Sequence, residues 1–250
     1  MSRPTQFTID LQALCENATT LKRLAGTRST MAVVKADAYG HGAVKCAAAL
    51  SPLVDAFAVA ITEEAVALRG AGIDLPILVL QGPHSLEDAK IMSSAALWPA
   101  ISTEHQIDWL EQTGAQFEQV WLKCDTGMHR LGFIPDEITS ARSRLTALSL
   151  SDIVMMSHFA DAEAPDSALT ERQLLRWGQV IDAAPAGSFS NSAATTGQIA
   201  TTESWVRLGY SMYGGSLVAL PGGYSLKPCL LYTSDAADER SSVDLGGRRI

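Results

Sequence analysis

Seven polar residues in this 250-residue sequence share one placement: each lies within, or just beyond the end of, a short apolar run. Lys35 closes Met31-Ala32-Val33-Val34, Lys123 and Asp125 end the run from Val120, and His158 follows Ile153-Val154-Met155-Met156-Ser157. Asn191 and Ser192 follow Gly187-Ser188-Phe189-Ser190, and Arg207 sits in Trp205-Val206-Arg207-Leu208. Brought to one place, these cations with hydroxyl and amide donors suit an anionic ligand, most simply one that carries phosphate. A lysine ending a buried strand is also a candidate Schiff-base amine, because desolvation and neighbouring cations lower its pKa toward the nucleophilic state. Singly, each has an ordinary reading. A lysine at a strand end is commonly solvated, a lone histidine is commonly a hydrogen-bonded structural one, and an arginine is commonly an ion-pair partner. Gly40 and Gly42 in Ala38-Tyr39-Gly40-His41-Gly42-Ala43 serve equally well as turn residues, since two glycines are a weak phosphate signal. The shared placement is what makes them a constellation.

The elements that must position them follow a repeating order. Phe7 to Ile9 reads as extended, and Asp10 as the N-cap of a helix with Leu11, Leu14, Ala18, Leu21 and Ala25 on one stripe. Strands are expected at 31–35, 56–60, 77–80, 97–101, 119–124, 153–157, 187–190 and 205–208. Helical patterns lie between them, near 43–50, 62–71, 85–94, 103–113, 135–146, 168–184 and 192–200. The fourth strand carries Pro99 and the seventh two serines, so these are the weakest patterns. Continuous apolar strands alternating with helices imply a parallel sheet, and eight repeats favour closure into a (β/α)8 barrel of the TIM type. In such a barrel function sits on the loops after the strand C-termini, where the seven residues fall. Residues 214–228, rich in Gly and Pro, read as a connection leaving the barrel. From Leu231 on the chain shows no apolar periodicity and many charges. The expected organisation is a barrel over 1–228 and an unstructured tail over 229–250.

Composition bounds the partners. Nineteen Lys plus Arg against 27 Asp plus Glu give a net charge of −8, which argues against a general nucleic-acid surface or an anionic-membrane binder. No apolar run reaches the ~20 residues of a bilayer span, and the N-terminus lacks the apolar core of a secretory signal. Cys15, Cys46, Cys124 and Cys229 are widely spaced, so neither a disulfide framework nor a zinc site is suggested. A cytoplasmic α/β protein without a metal is the expectation.

Val33-Val34-Lys35-Ala36-Asp37-Ala38-Tyr39-Gly40-His41-Gly42 resembles the pyridoxal-phosphate lysine signature of alanine racemases. Lys123-Cys124-Asp125-Thr126-Gly127-Met128-His129-Arg130-Leu131-Gly132 resembles that family's second signature. Ser157-His158-Phe159-Ala160, Asn191-Ser192 and Arg207-Leu208-Gly209-Tyr210 are similar to three further motifs, in order. The resemblance covers roughly residues 4 to 228. It implies a pyridoxal-5'-phosphate-dependent isomerase that interconverts L- and D-alanine, to supply D-alanine for peptidoglycan or to catabolise alanine, with a homodimer for the full-length family member. It implies that Lys35 carries the cofactor covalently and is one of two acid/base groups at the substrate α-carbon. Arg207 would face the pyridine nitrogen and leave it unprotonated, a weaker electron sink that favours reprotonation over transamination. Tyr39, Ser192 and the N–H groups of Gly209 and Tyr210 would hold the phosphate, with Asn191 beside them. His158 would lie beside the ring, and Arg130 would contact the phenolic oxygen and the substrate. Lys123 is the position that the family often carbamylates to orient Arg130.

Asp37 stands where the family often has Asn, and Leu208 where Pro is usual. The family's C-terminal β-domain, which supplies the opposing catalytic tyrosine, is not matched by this sequence. The tail after Pro228 resembles translated adapter sequence joined to a gene fragment. The expectation is therefore a barrel that binds cofactor without racemising. A non-catalytic pyridoxal-phosphate homeostasis barrel, a racemase for another amino acid, and a phosphate-ligand barrel without covalent attachment remain open.

Overall fold

The computed structural model describes residues 5–150, 152–181 and 186–234. Eight strands form a closed parallel barrel: β2 (Ser29–Val33), β3 (Ala56–Val59), β4 (Ile77–Val79), β5 (Trp98–Ile101), β6 (Val120–Lys123), β7 (Ile153–Met156), β8 (Ala186–Ser188) and β9 (Trp205–Leu208). They pair in sequence order, and β9 returns to β2 with Met31 opposite Arg207. The two weakest patterns are strands of this barrel. Pro99 is accommodated in β5, paired with Val79, and the two-serine segment contributes only the short β8.

The covering layer is α1 (Leu11–Ala25), α2 (Lys35–Gly40), α3 (Ala43–Leu50), α4 (Thr62–Gly70), α5 (Leu86–Ser94), α6 (Glu104–Thr113), α7 (Ile138–Ala147), α8 (Ala168–Ile181) and α9 (Ser192–Thr196). Asp10 caps α1 as its sequence implies, accepting the Ala13 N–H at 2.9 Å. Helix α9 is half the expected length, and the first turn expected near 135 is a separate 3₁₀ turn over Pro135–Glu137. Residues 182–184 of the helix expected over 168–184 lie outside the described residues. No described helix is long and apolar enough to cross a membrane.

Side-chain alternation along the strands decides what the barrel interior contains. Ala32, Phe57, Ile77, Leu122, Met155 and Val206 face outward into the layer beneath the helices. Met31, Ala58, Leu78, Trp98, Trp121 and Val154 face inward. At the N-terminal end Trp98, Trp121 and Trp205 meet with ring centroids 5.8 to 6.3 Å apart and plug the barrel. Two residues on from Trp121 is Lys123, and two on from Trp205 is Arg207. The same alternation that buries the indoles therefore sends both cations inward at the opposite end.

Two expectations for the C-terminal part fail. The Gly- and Pro-rich segment does not leave the barrel but folds back on α1. The Asn17 amide, 1% exposed, donates to Met212 O (3.0 Å) and Lys227 O (2.8 Å) and accepts from Lys227 N (2.8 Å). Cys229, assigned to the tail, is fully buried in the core. Residues 230–234 are not unstructured either. Leu230–Ser234 forms β10, antiparallel to β1 (Thr5–Ile9), with Phe7 opposite Tyr232 and their rings 5.2 Å apart. Strand pairing needs a free backbone edge rather than a buried face, so apolar periodicity was the wrong test there. Residues 235–250 lie outside the described residues.

Replacing Asn17 by Ala strands one buried N–H and two carbonyls, and about 2–4 kcal/mol of stability is expected to go with them. Urea unfolding checks this; an Asn17→Ala chain as stable as the parent would contradict it.

Candidate active site at the barrel mouth

A cavity of about 340 Å³ opens at the C-terminal end of the barrel and is lined by Lys35, Lys123, Arg130, His158, Ser192 and Arg207, among others. The sequence constellation is thus assembled, with one exception. Asp125 is turned away, and its carboxylate accepts from the N–H groups of Gly127 (2.9 Å) and His129 (3.0 Å) and from the His129 ring. Burial alone would raise Asp125, but these hydrogen bonds hold it below its ordinary value. They also shape the left-handed residue His129, φ 56°, that precedes Arg130.

Lys35 begins a turn that no pattern analysis suggests. Ala36, Asp37, Ala38 and Tyr39 have φ of 52 to 55° and ψ of 36 to 51°, a left-handed helical turn without a glycine. Each such residue costs roughly 1–2 kcal/mol against the right-handed form. Asp37, where the resembling family often has Asn, fits because both residues tolerate this region. The Asp37 carboxylate accepts the Ala43 N–H at 2.7 Å, and the Glu64 carboxylate accepts the Ala36 N–H at 2.7 Å. The turn brings the Tyr39 hydroxyl over the backbone of Gly209, where a Cβ would lie 2.5 Å from it. Only glycine allows that approach.

Opposite, Asn191 caps α9 with its side-chain oxygen, which accepts the Ala194 N–H. Ser192 Oγ accepts from Gly209 N (3.0 Å) and Ser211 N (3.3 Å). The sequence pointed to the N–H groups of Gly209 and Tyr210. Both residues line the cavity, with the Tyr210 ring half exposed on its rim.

Arg207 is 4% exposed and held by main chain. One terminal nitrogen donates to Ser188 O (2.9 Å) and Ser188 Oγ. The other donates to Ser157 O and to Nδ1 of His158 at 3.1 Å. The Nε–H makes no hydrogen bond among the described residues. Burial lowers Arg207 to about 10, offset in part by the charge of Glu203, so it is still a cation at neutral pH. His158 is pushed well below its ordinary value by burial and by Arg207 and Lys123, so it is neutral, with Nδ1 as acceptor. Burial, then Arg207 and Arg130, lower Lys123 to about 8. Burial, then Arg130, lower Lys35, against the opposing charge of Glu64. Among the described residues, four cations share the lining with one carboxylate, Glu163 at the rim.

Several positioning residues were not found from sequence. Glu203, its side chain fully buried, accepts from Phe189 N (2.6 Å), Ser190 N (2.8 Å), Thr201 and Arg28, fixing the segment whose carbonyls bind Arg207. Gln173 on α8 donates to His158 O (2.9 Å) and Thr126 and accepts from Ala160 N, clamping the His158 loop. Both lie remote in sequence from the groups they hold and belong to no local motif. Glu64 alone had a signal, as an acid three residues into a helix.

Fold and site together define a class: a (β/α)8 barrel whose C-terminal mouth opens into a cavity lined by a half-buried lysine and three further cations. The family model described as "Alanine racemase, N-terminal domain" matches residues 9–217, and the chain belongs to that family. It is 43% identical over 221 residues to an alanine racemase of Pseudomonas entomophila, covering 86% of this chain and 60% of that protein. It is 41% identical over 217 residues to the catabolic alanine racemase of Pseudomonas aeruginosa, with the same shares covered. The biosynthetic alanine racemase structure from Pseudomonas aeruginosa superposes with a TM-score of 0.85 at 35% identity, covering 92% of this chain and 65% of that one. That from Acinetobacter baumannii gives 0.83 at 31%, covering 93% and 71%. The chain spans about 60% of the length of the curated relatives it matches.

The buried amine of Lys123 makes stability pH-dependent with a definite sign. Between about pH 8 and its ordinary 10.5 the unfolded chain keeps this proton and the folded chain has released it, so the folded state gains as pH rises. Lys123→Met should be more stable than the parent at pH 7 in carbon-dioxide-free buffer. At about 1.4 kcal/mol per pH unit, that advantage should shrink by about 3 kcal/mol by pH 11. Urea unfolding across the range decides it, and a gap independent of pH counts against the assignment.

Proposed function

We propose that this chain is the cofactor-binding barrel of a pyridoxal-phosphate-dependent alanine racemase. The observation that carries the reading is the opening of three complementary groups onto one cavity: an amine, an anion cradle and an uncommitted guanidinium N–H. The residues fit the cofactor on their own chemistry. The Lys35 amine is lowered toward its neutral, nucleophilic form by burial and Arg130. Tyr39, Ser192, Gly209 and Tyr210, the residues that the family resemblance assigns to the phosphate, all line this cavity. Arg207 offers its Nε–H while its terminal nitrogens are already engaged, and the cavity's size is that of a small-ligand site.

Bound there, pyridoxal phosphate supplies an electron sink that acidifies the α-hydrogen of an amino acid. This chain's residues do the rest. Lys35 would hold the cofactor and move a proton at the substrate α-carbon. Arg207, cationic at neutral pH, would offer the cofactor's ring a hydrogen bond rather than a proton. Neutral His158 supports Arg207 without adding charge, and Arg130 at the rim attracts the substrate carboxylate. Lys123 near pH 8 is partly neutral at physiological pH, the form that adds carbon dioxide and releases a proton. Its carbamate would change a cation beside Arg130 and Arg207 into an anion. Alanine as substrate rests on the names of the relatives, and a homodimer on what the family resemblance implies.

The covalent assignment is tested by incubating the chain with pyridoxal phosphate, reducing with borohydride and mapping peptides. The adduct is expected on Lys35 and absent from Lys35→Ala. The same adduct pattern in the variant would overturn it and favour a phosphate-ligand barrel.

Racemisation needs proton transfer on both faces of the α-carbon, and the barrel's tyrosines near the cavity are committed elsewhere. Tyr39 stands over Gly209, Tyr210 is on the rim, and the Tyr213 hydroxyl donates to Val33 O at 3.0 Å. Losing one member of an acid/base pair costs roughly 10²–10⁴-fold. The 250-residue chain is therefore expected to exchange the α-hydrogen of one alanine enantiomer slowly and to racemise at least about a hundredfold slower than a two-domain relative. Comparable racemisation rates would sink this proposal.

A further inference from the structure

The two oxygens of Glu64 point to different loops. Oε2 accepts the Ala60 N–H at 2.7 Å and the Ile61 N–H at 3.5 Å, an ordinary link from the first turn of α4 back to the end of β3. Capping needs nothing more. Oε1 is spent on another element, accepting at 2.7 Å from the N–H of Ala36, the residue that follows Lys35 and opens the left-handed turn. That N–H is the first of the turn and, like those starting any helix, has no partner within it. Further along, the Ala38 N–H reaches Val34 O and the Asp37 carboxylate holds Ala43, so the turn is tied beyond its start by its own neighbours. Its origin, where the Lys35 side chain departs, is tied across to β3 and α4.

We infer that Glu64 is the positioning residue for Lys35: its carboxylate bridges the exits of β2 and β3, keeps the strained turn in its left-handed form, and so aims the amine into the cavity. Its charge also opposes the effect of burial and of Arg130 on Lys35, the groups that face the amine from the barrel and from the Arg130 loop. The inference rests on Lys35 being the attachment point, and a helix-capping role alone makes a different prediction. If Glu64 only caps α4, relaxing the turn at Ala36 does nothing for a Glu64 variant. If Glu64 holds the turn, a glycine at position 36, which adopts positive φ without a Cβ clash, replaces part of what was lost.

The experiment measures capture of pyridoxal phosphate on Lys35 by borohydride reduction and peptide mapping, over a range of cofactor concentration. It compares the parent chain with Glu64→Gln, Ala36→Gly and the double variant, with thermal unfolding of each. Glu64→Gln is expected to need at least about tenfold more cofactor, and adding Ala36→Gly to recover several-fold of that. A folded Glu64→Gln chain within twofold of the parent, or a double variant with no recovery, overturns the inference. Where Glu64→Gln does not fold, Glu64→Asp, which keeps the charge but withdraws it by one methylene, is expected to show the same loss, and parent-like capture by it is equally fatal. Amide exchange at Ala36 in the cofactor-free chain separates this inference from the functional reading. No adduct on parent Lys35 defeats the functional reading, whereas unchanged Ala36 exchange in the variant defeats the role of Glu64.

Discussion

A guanidinium buried at the top of a barrel has to be satisfied by whatever surrounds it, and around Arg207 that is the main chain. Its terminal nitrogens bind carbonyls of Ser188 and Ser157, which belong to the exits of β8 and β7. On the far side of the Ser188–Ser190 backbone, Glu203 accepts the N–H groups of Phe189 and Ser190. The peptide unit joining Ser188 to Phe189 therefore lies between a carboxylate at its N–H and a guanidinium at its carbonyl. Hydrogen bonds in such a chain polarise one another. Two opposite charges on either side of one backbone segment thus fix the spacing of strand ends on which His158, Asn191 and Ser192 ride.

That buried charge also sets the chemistry of its neighbours. Second to burial in both cases, it keeps His158 neutral and helps bring Lys123 to about 8. A site with this much positive charge and one rim carboxylate is stable only so far as each cation is separately held. Arg207 is held by carbonyls, Lys35 has Glu64 nearby, and Arg130 keeps contact with solvent. An anion entering the cavity relieves a repulsion already present, which raises affinity for phosphate-bearing ligands beyond what the individual hydrogen bonds contribute.

Much of this was legible in sequence, for reasons particular residues make plain. Strands buried on both faces read as continuous apolar runs, so eight of them were countable, and a chemical residue at the end of a run had to lie at one mouth. Lys123 and Arg207 face inward because each is two residues from a tryptophan of the barrel plug, a relation that only the closed barrel makes visible. What was not legible is long-range or conformational. Glu203 and Gln173 act on groups brought to them only by barrel closure. The left-handed turn at Ala36–Tyr39 has no glycine to announce it, since two alanines, an aspartate and a tyrosine reveal nothing of positive φ. Residues 230–234 were misread because pairing with β1 depends on a backbone edge far back in the chain.

The tryptophan plug gives the molecule an internal optical gauge. Trp98, Trp121 and Trp205 sit in contact on the barrel axis, below the cavity, and two of them are more than nine-tenths buried. Their emission is shielded from water by the barrel wall, and they share an axis with whatever occupies the mouth. A chromophore seated there accepts their excitation energy, whereas a colourless phosphate leaves it untouched. The residues that close the base of the barrel for packing reasons thereby report, without any label, on the chemical nature of the guest at its top.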